Sequence, residues 1–218
     1  MNKIGMALAV CGLFLMATTA NSAIITFDDL IVGQTSYSYD GDGDGIMDAV
    51  FSTTDPFGFN TVGPGPNMTY IDEPGLEGST IVNNPGDLRV DFLEGARNSI
   101  SFGFALDDFE ETPDTWTKFS LYDSNDNLLG SAMEIGEYTT LPGGGSSEFP
   151  EGEISLAFAG TAAYGVFDFN NSSAGGQRYI IDNFAGTYGS TEVPEPATLS
   201  MLLLGCISLC GYGLKRKK

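Results

Sequence analysis

The sequence contains no histidine. A Ser-His-Asp or Cys-His nucleophile pair and any His-ligated zinc site are therefore excluded. Its three cysteines, Cys11, Cys206 and Cys210, all lie in apolar stretches near the two ends. The span between those stretches has no internal disulfide, so core packing, bound cations or both must hold it. Cations are scarce: Lys and Arg number 9 against 29 Asp and Glu. From Ile24 to Glu192 the cations are Arg89, Arg97, Lys118 and Arg178, whereas Glu195 is the one acid outside that span. A field of that sign repels nucleic acid and favours cations, so no nucleic-acid partner is expected. No glycine-rich phosphate loop opens a helix. Paired carboxylates could in principle cleave a glycosidic bond, but nothing singles out one pair among so many acids. No enzymatic activity is expected.

The two ends are apolar in different ways. Lys3 precedes an apolar run from Ile4 to Ala17 and then small residues. That is the build of a helical signal peptide over residues 1–23, with Ala20, Ser22 and Ala23 each an acceptable last residue. At the other end, Ala197–Leu214 carries no charge. As a helix it would be roughly 27 Å long, enough for a bilayer core of about 30 Å. Lys215, Arg216, Lys217 and Lys218 follow it and favour a cytoplasmic end. Pro194 and Pro196 hold Val193-Pro194-Glu195-Pro196 extended just outside the span.

The order Pro-Glu-Pro, apolar span and short basic end resembles the PEP-CTERM sorting signal. That resemblance implies residues 193–218 are a sorting signal cut near the motif by an exosortase. The membrane helix would then be a transient inner-membrane anchor, removed as the protein passes to the outer surface or the extracellular matrix. Gly58-Phe-Asn-Thr-Val-Gly-Pro-Gly65, Pro74-Gly-Leu-Glu77 and Leu121-Tyr-Asp123 also resemble exported domains that carry this signal.

Residues 24–192 are the length of one domain. Alternation dominates there. Leu88, Val90 and Phe92 share a face, as do Ile100, Phe102, Phe104 and Leu106. Phe119 with Leu121, and Ile154 with Leu156 and Phe158, repeat the period, and 164–170 and 179–184 read as two more strands. Many short strands, each with one apolar face, describe an all-β antiparallel sandwich. A jelly-roll-like order is expected by analogy. The Gly- and Pro-rich run 55–75 reads as a long excursion packed by Phe57, Phe59 and Tyr70, covering a sheet edge.

The sharpest local motif is Asp40-Gly-Asp-Gly-Asp-Gly-Ile-Met-Asp48. Asp40, Asp42, Asp44 and Asp48 occupy positions 1, 3, 5 and 9 of an EF-hand-type loop, with Ile46 offering a backbone carbonyl at position 7. Position 12, normally a bidentate Glu, is Phe51. The loop is closer to the Asp-rich loops of dockerin-like and thrombospondin-type repeats. Calcium binding is expected, with a ligand borrowed from elsewhere. Phe27-Asp28-Asp29 and Ile181-Asp182-Asn183 loosely resemble the acidic pairs on first and last strands with which jelly-roll carbohydrate-binding modules share a calcium, which implies Asp28 and Asp182 as a second, weaker candidate. Tyr37, Tyr39, Tyr70, Trp116 and Tyr122 are the aromatics available for sugar stacking. The first functional expectation is an exported surface or matrix protein with a structural or adhesive role in the envelope or exopolysaccharide. The alternative is a calcium-assisted carbohydrate-binding module, and glycoside hydrolysis comes last.

Overall fold

The computed structural model describes residues 22–61, 67–72, 74–78, 88–107, 114–170 and 178–188. The expected signal core, the Val193–Pro196 motif, the apolar span and the Lys215–Lys218 tail lie outside the described residues. Among the described residues no helix is long and apolar enough to cross a membrane.

The described residues form eleven antiparallel strands. They are β1 (Ser22–Ile25), β2 (Ser36–Tyr39), β3 (Ala49–Thr53), β4 (Phe59–Asn60), β5 (Leu76–Gly78) and β6 (Leu88–Leu106). After these come β7 (Trp116–Tyr122), β8 (Leu128–Ile135), β9 (Glu151–Ala157), β10 (Ala162–Asn170) and β11 (Tyr179–Tyr188). β1 begins at Ser22, two residues before the expected start of the domain, with Ser22 and Ala23 opposite Thr187 and Gly186.

β6 organises the molecule. Its first half pairs with β3 and β10, and its second half with β9 and β11. The chain thereby builds two layers through one strand: β2-β3-β6-β10-β7-β8 and β9-β6-β11, the latter extended by β5-β4 and β1. Sequence alternation predicts two strands here, separated at Leu93–Asn98. The two are continuous because Gly95 and Asn98 take positive φ and the register against β10 slips from Asp91↔Tyr164 to Ala96↔Ala162. Such irregularities bend and twist a strand without ending it.

The apolar faces of the layers meet in an aromatic core. Phe51, Phe119 and Phe167 from one layer contact Phe102 and Phe184 from the other. A bulge in β11 makes this possible. Asp182 pairs with Gly103 but Ala185 with Ser101, so three steps on β11 match two on β6. The extra residue, Asn183 at φ 52°, lets Ile181 and Phe184 both reach the core.

The 55–75 excursion differs from the expectation in where its aromatics lie. Phe59 is in the main core rather than packed on its neighbours, and Phe57 is 67% exposed. β4 and β5 extend the β11 edge, as expected of an edge cover. Residues 67–72 roof the outer face of the second layer. Ile71 packs there with Ala105 and Ile180 in a small second core. The buried Glu151 carboxylate pins this roof, accepting the Thr69 and Tyr70 amides at 2.8 and 2.9 Å and the Thr139 hydroxyl. The roof approaches so closely that a Cβ on Gly103 would lie 2.0 Å from the Tyr70 carbonyl oxygen. Gly103→Ala is expected to lift the roof, costing about 1–3 kcal/mol in urea unfolding and speeding proteolysis within 67–72. Unchanged stability together with an unchanged cleavage rate would refute this packing.

Candidate functional site

The acidic loop lies between β2 and β3. Its backbone is turned by its own carboxylates. Asp40 accepts the Gly43 and Gly45 amides at 2.7 and 3.0 Å, Asp42 accepts Asp44, and Asp44 accepts Ile46. These local bonds follow from short side chains that can bond the backbone two to five residues on. Oxygens of Asp40, Asp42 and Asp48 all lie within 4.8 Å of one another. A second group joins Asp42 and Asp44 to Glu94 of β6 under the same limit. Asp48 is 2% exposed. Its Oδ2 accepts the Gly41 amide at 2.7 Å, while its buried Oδ1 has no hydrogen-bond partner. Burial raises its pKa, the Gly41 bond lowers it, and the charges of Asp42, Asp40 and Asp44 raise it further. Phe51, at position 12, is fully buried against Phe27 and Phe184 and cannot be a ligand. Ile46 is exposed at the loop tip. All available donors are oxygens, which suits a hard divalent cation.

Asp28 and Asp182 form no comparable cluster among the described residues. Asp182 is 1% exposed. It accepts the Asp72 amide at 2.8 Å and the Asn183 amide at 2.7 Å. Asp28 bonds the Thr26 hydroxyl. Burial chiefly, with the charges of Asp72 and Asp28 adding, pushes the Asp182 carboxyl up to about 7. Neither Asp28 nor Asp182 belongs to the convergent carboxylate groups found among the described residues.

The five candidate aromatics separate. Tyr37 is buried, its hydroxyl donating to Asp29 at 2.7 Å. Tyr39 is half-buried, edge-on to Tyr188. Tyr70 belongs to the roof. Trp116 and Tyr122 lie on the outer face of the first layer, which no described segment roofs.

That face follows from the pairing register. Trp116, Lys118, Ser120 and Tyr122 of β7 alternate with inward Thr117, Phe119 and Leu121. Tyr122 sits opposite Tyr164, which in turn sits opposite Asp91. The Tyr122 and Tyr164 rings stack with centroids 5.0 Å apart and 13° between planes. From the other flanking strand, the Arg89 guanidinium lies 3.8 Å from the Tyr164 ring centre. Arg89 is oriented by Asp91, donating from Nε at 2.9 Å and Nη2 at 2.6 Å. Tyr164 donates its hydroxyl to Asp126 at 2.9 Å. Three strands thus contribute one rigid column of two rings and a guanidinium. Tyr164 and Arg89 are not among the sequence candidates; their outward place in the alternation of β10 and β6 is the signal that could have found them.

A cavity of about 220 Å³ opens beside the second layer, lined in part by Glu77, Asp107, Phe149 and Arg178. Glu77 is buried, ion-paired to Arg178 and bonded to the Asn60 amide at 2.8 Å. Burial raises the Glu77 carboxyl, while Arg178 and Asn60 pull it down. Asp107 completes the group, 3.2 Å from Arg178. Arg178 thus bridges the two carboxylates.

No protein-family model and no curated protein matches the chain. Among solved structures it is similar to the cleaved adhesin domain of Lys-gingipain, at 12% identity and a TM-score of 0.40, covering 78% of this chain and 100% of that one. It is also similar to the carbohydrate-binding module TmCBM27, studied for specific mannan recognition, at 11% identity and a TM-score of 0.41, covering 78% of this chain and 100% of that one. A third similarity is to a family 29 carbohydrate binding module, at 12% identity and a TM-score of 0.37, covering 83% of this chain and 98% of that one.

Proposed function

We propose that this chain is an exported, non-catalytic carbohydrate-binding module that takes an uncharged polysaccharide across the outer face of the β2-β3-β6-β10-β7-β8 layer. One observation carries the reading. Of the two layers, one is roofed by 67–72 while the other presents Trp116, the Tyr122–Tyr164–Arg89 column and the carboxylates Asp91 and Asp126. Sugars show apolar C–H faces to aromatic rings and hydroxyls to fixed donors and acceptors. Tyr164 is covered by Tyr122 and Arg89, so the rings offered are Trp116 and Tyr122, with Arg89, Asp91 and Asp126 as polar partners. The excess of acids disfavours anionic polymers. In this reading a calcium ion at the β2–β3 loop stiffens the module and does not touch the sugar.

Delivery belongs to the same proposal. The signal peptide directs export, the 197–214 span anchors the chain in the inner membrane, and an exosortase cuts near Val193–Pro196, releasing the domain to the surface or matrix. Signal cleavage after Ala20 would leave β1 whole, whereas cleavage after Ala23 would remove the partners of Thr187 and Gly186.

The test is a neutral-glycan array in the presence of calcium, followed by titration calorimetry on any hit. Tyr122→Ala is expected to weaken binding about tenfold, on the order of the energy of one aromatic contact. An array without hits overturns the carbohydrate reading. The adhesive matrix role would then rest on Leu128, Met133 and Ile135, apolar side chains exposed along β8.

A further inference from the structure

Asp48 presents a buried carboxylate oxygen with nothing bonded to it. Such an atom costs roughly 1–3 kcal/mol unless something satisfies it. Asp48 lies in a cluster with Asp40 and Asp42 whose like charges repel, and a cation would satisfy the bare oxygen and offset that repulsion together. The register explains why a residue distant in sequence reaches the same place. Val50 pairs with Asp91, so the chain running back from β3 into the acidic loop passes residues 92–94 of β6. There the β6–β10 register slips. Asp91 to Ala96 is five steps on β6, against two from Tyr164 to Ala162 on β10. The surplus residues include Glu94, and Gly95 at φ 81° completes the bend. An irregularity of this kind re-aims a side chain out of the regular alternation. Its result is that Glu94 joins Asp42 and Asp44 within 4.8 Å.

We propose that Asp40, Asp42, Asp44 and Asp48, together with Glu94, hold one calcium-type divalent cation, with Glu94 standing in for the twelfth-position carboxylate that the loop replaces by Phe51. The inference rests on the calcium reading of the loop and is independent of the sugar reading. Its consequence is mechanical. A loop that closes its own site stiffens only itself, whereas this ion bolts the β2–β3 loop to the bend of β6. That bend lies three residues from Asp91, which orients Arg89 on the open face. Calcium is favoured over magnesium because two carboxylate triads that share Asp42, in an irregular frame, fit a cation of about six to eight flexible oxygen ligands. Magnesium demands a near-ideal octahedron and keeps several waters.

The test uses the full-length chain in detergent, with calcium alone in calorimetry and terbium as the luminescent substitute. Tyr39, whose ring lies directly against Gly41 of the loop, is placed to sensitise the terbium. The wild type is expected to bind one ion, and Asp42→Asn with Asp44→Asn to abolish binding. Glu94→Gln is expected to weaken calcium about tenfold or more, since affinity follows the charge of the ligand set. It should also add about one water to the count from terbium lifetimes, because a ligand position opens. No binding by the wild type sinks the calcium reading and this inference with it. Wild-type binding with an unaltered Kd and lifetime in Glu94→Gln sinks the role of Glu94 alone. Should Glu94→Gln fail to fold, Glu94→Asp keeps the charge but shortens the reach, and a wild-type Kd there overturns the proposal equally.

Discussion

Replacing Phe184 by alanine is expected to cost about 3–5 kcal/mol of folding stability, the range for emptying a fully buried aromatic site. Phe184 is, with Phe102, one of the rings through which the two layers meet. It meets Phe51 edge-on at 5.1 Å, Phe102 in a stack at 5.7 Å and Phe119 edge-on at 6.1 Å. Phe92, Phe167 and Tyr188 complete its surroundings. Truncation therefore opens a void bordered by rings of both layers, and none of those rings can collapse into it without leaving its own partners. A domain of this size has on the order of 5–15 kcal/mol in total, so the variant would be close to unfolding. Phe57→Ala is the control: with Phe57 67% exposed, its loss should stay within about 0.5 kcal/mol. Urea unfolding of both variants measures the difference. Equal midpoints would show that the layers are not held together through this ring.

The core around Phe184 was legible in part. Alternation marked the inward faces of β6, β7 and β9, because a half-buried strand repeats its apolar residues every second position, and 164–170 and 179–184 read as strands without an assigned face. The failures are physical and specific. Leu93–Asn98 carries no alternation and separates two readings of what is one strand, because Gly95 and Asn98 at positive φ bend it without ending it. β1 and β2 are too short to show a period, β4 sits in a Gly- and Pro-rich run where propensity argues against strands, and β5 follows directly after it. β8 alternates weakly because most of its residues are exposed. The candidate metal loop was legible, since its carboxylates bond their own backbone within a few residues. Glu94 was not, because only the pairing of β3 with β6 brings it there. The open face divides in the same way: Trp116 and Tyr122 stand out as aromatic residues, but the Arg89–Tyr164 contact depends on register across two strand pairs.

The second large effect is on pH. Asp182 is 1% exposed, and burial chiefly pushes its carboxyl from 3.8 up to about 7. Between these values the native state holds a proton that the unfolded chain has released. Stability rises with pH only where the unfolded state binds more protons, so here it falls. The loss begins near pH 4, is complete just above pH 7, and amounts to about 4 kcal/mol at roughly 1.4 kcal/mol per unit. This opposes the usual carboxylate, whose folded pKa is depressed and whose stabilisation vanishes in acid. The groups that face Asp182 explain the direction. Asp72 and Asp28 add negative charge, and no cation offsets them among the causes of its shift. The amides of Asp72 and Asn183 favour the ionised form but do not outweigh burial. Asp182→Asn removes the titration while keeping one carbonyl acceptor. The wild type should therefore lose stability relative to Asp182→Asn as pH rises from about 4 to about 7.5, with most of the change above pH 5. Denaturant midpoints at pH 4.5, 6 and 7.5 measure it. Parallel profiles for the two proteins would mean that Asp182 is ionised in the native state throughout, and that a cation or a water-filled path reaches it.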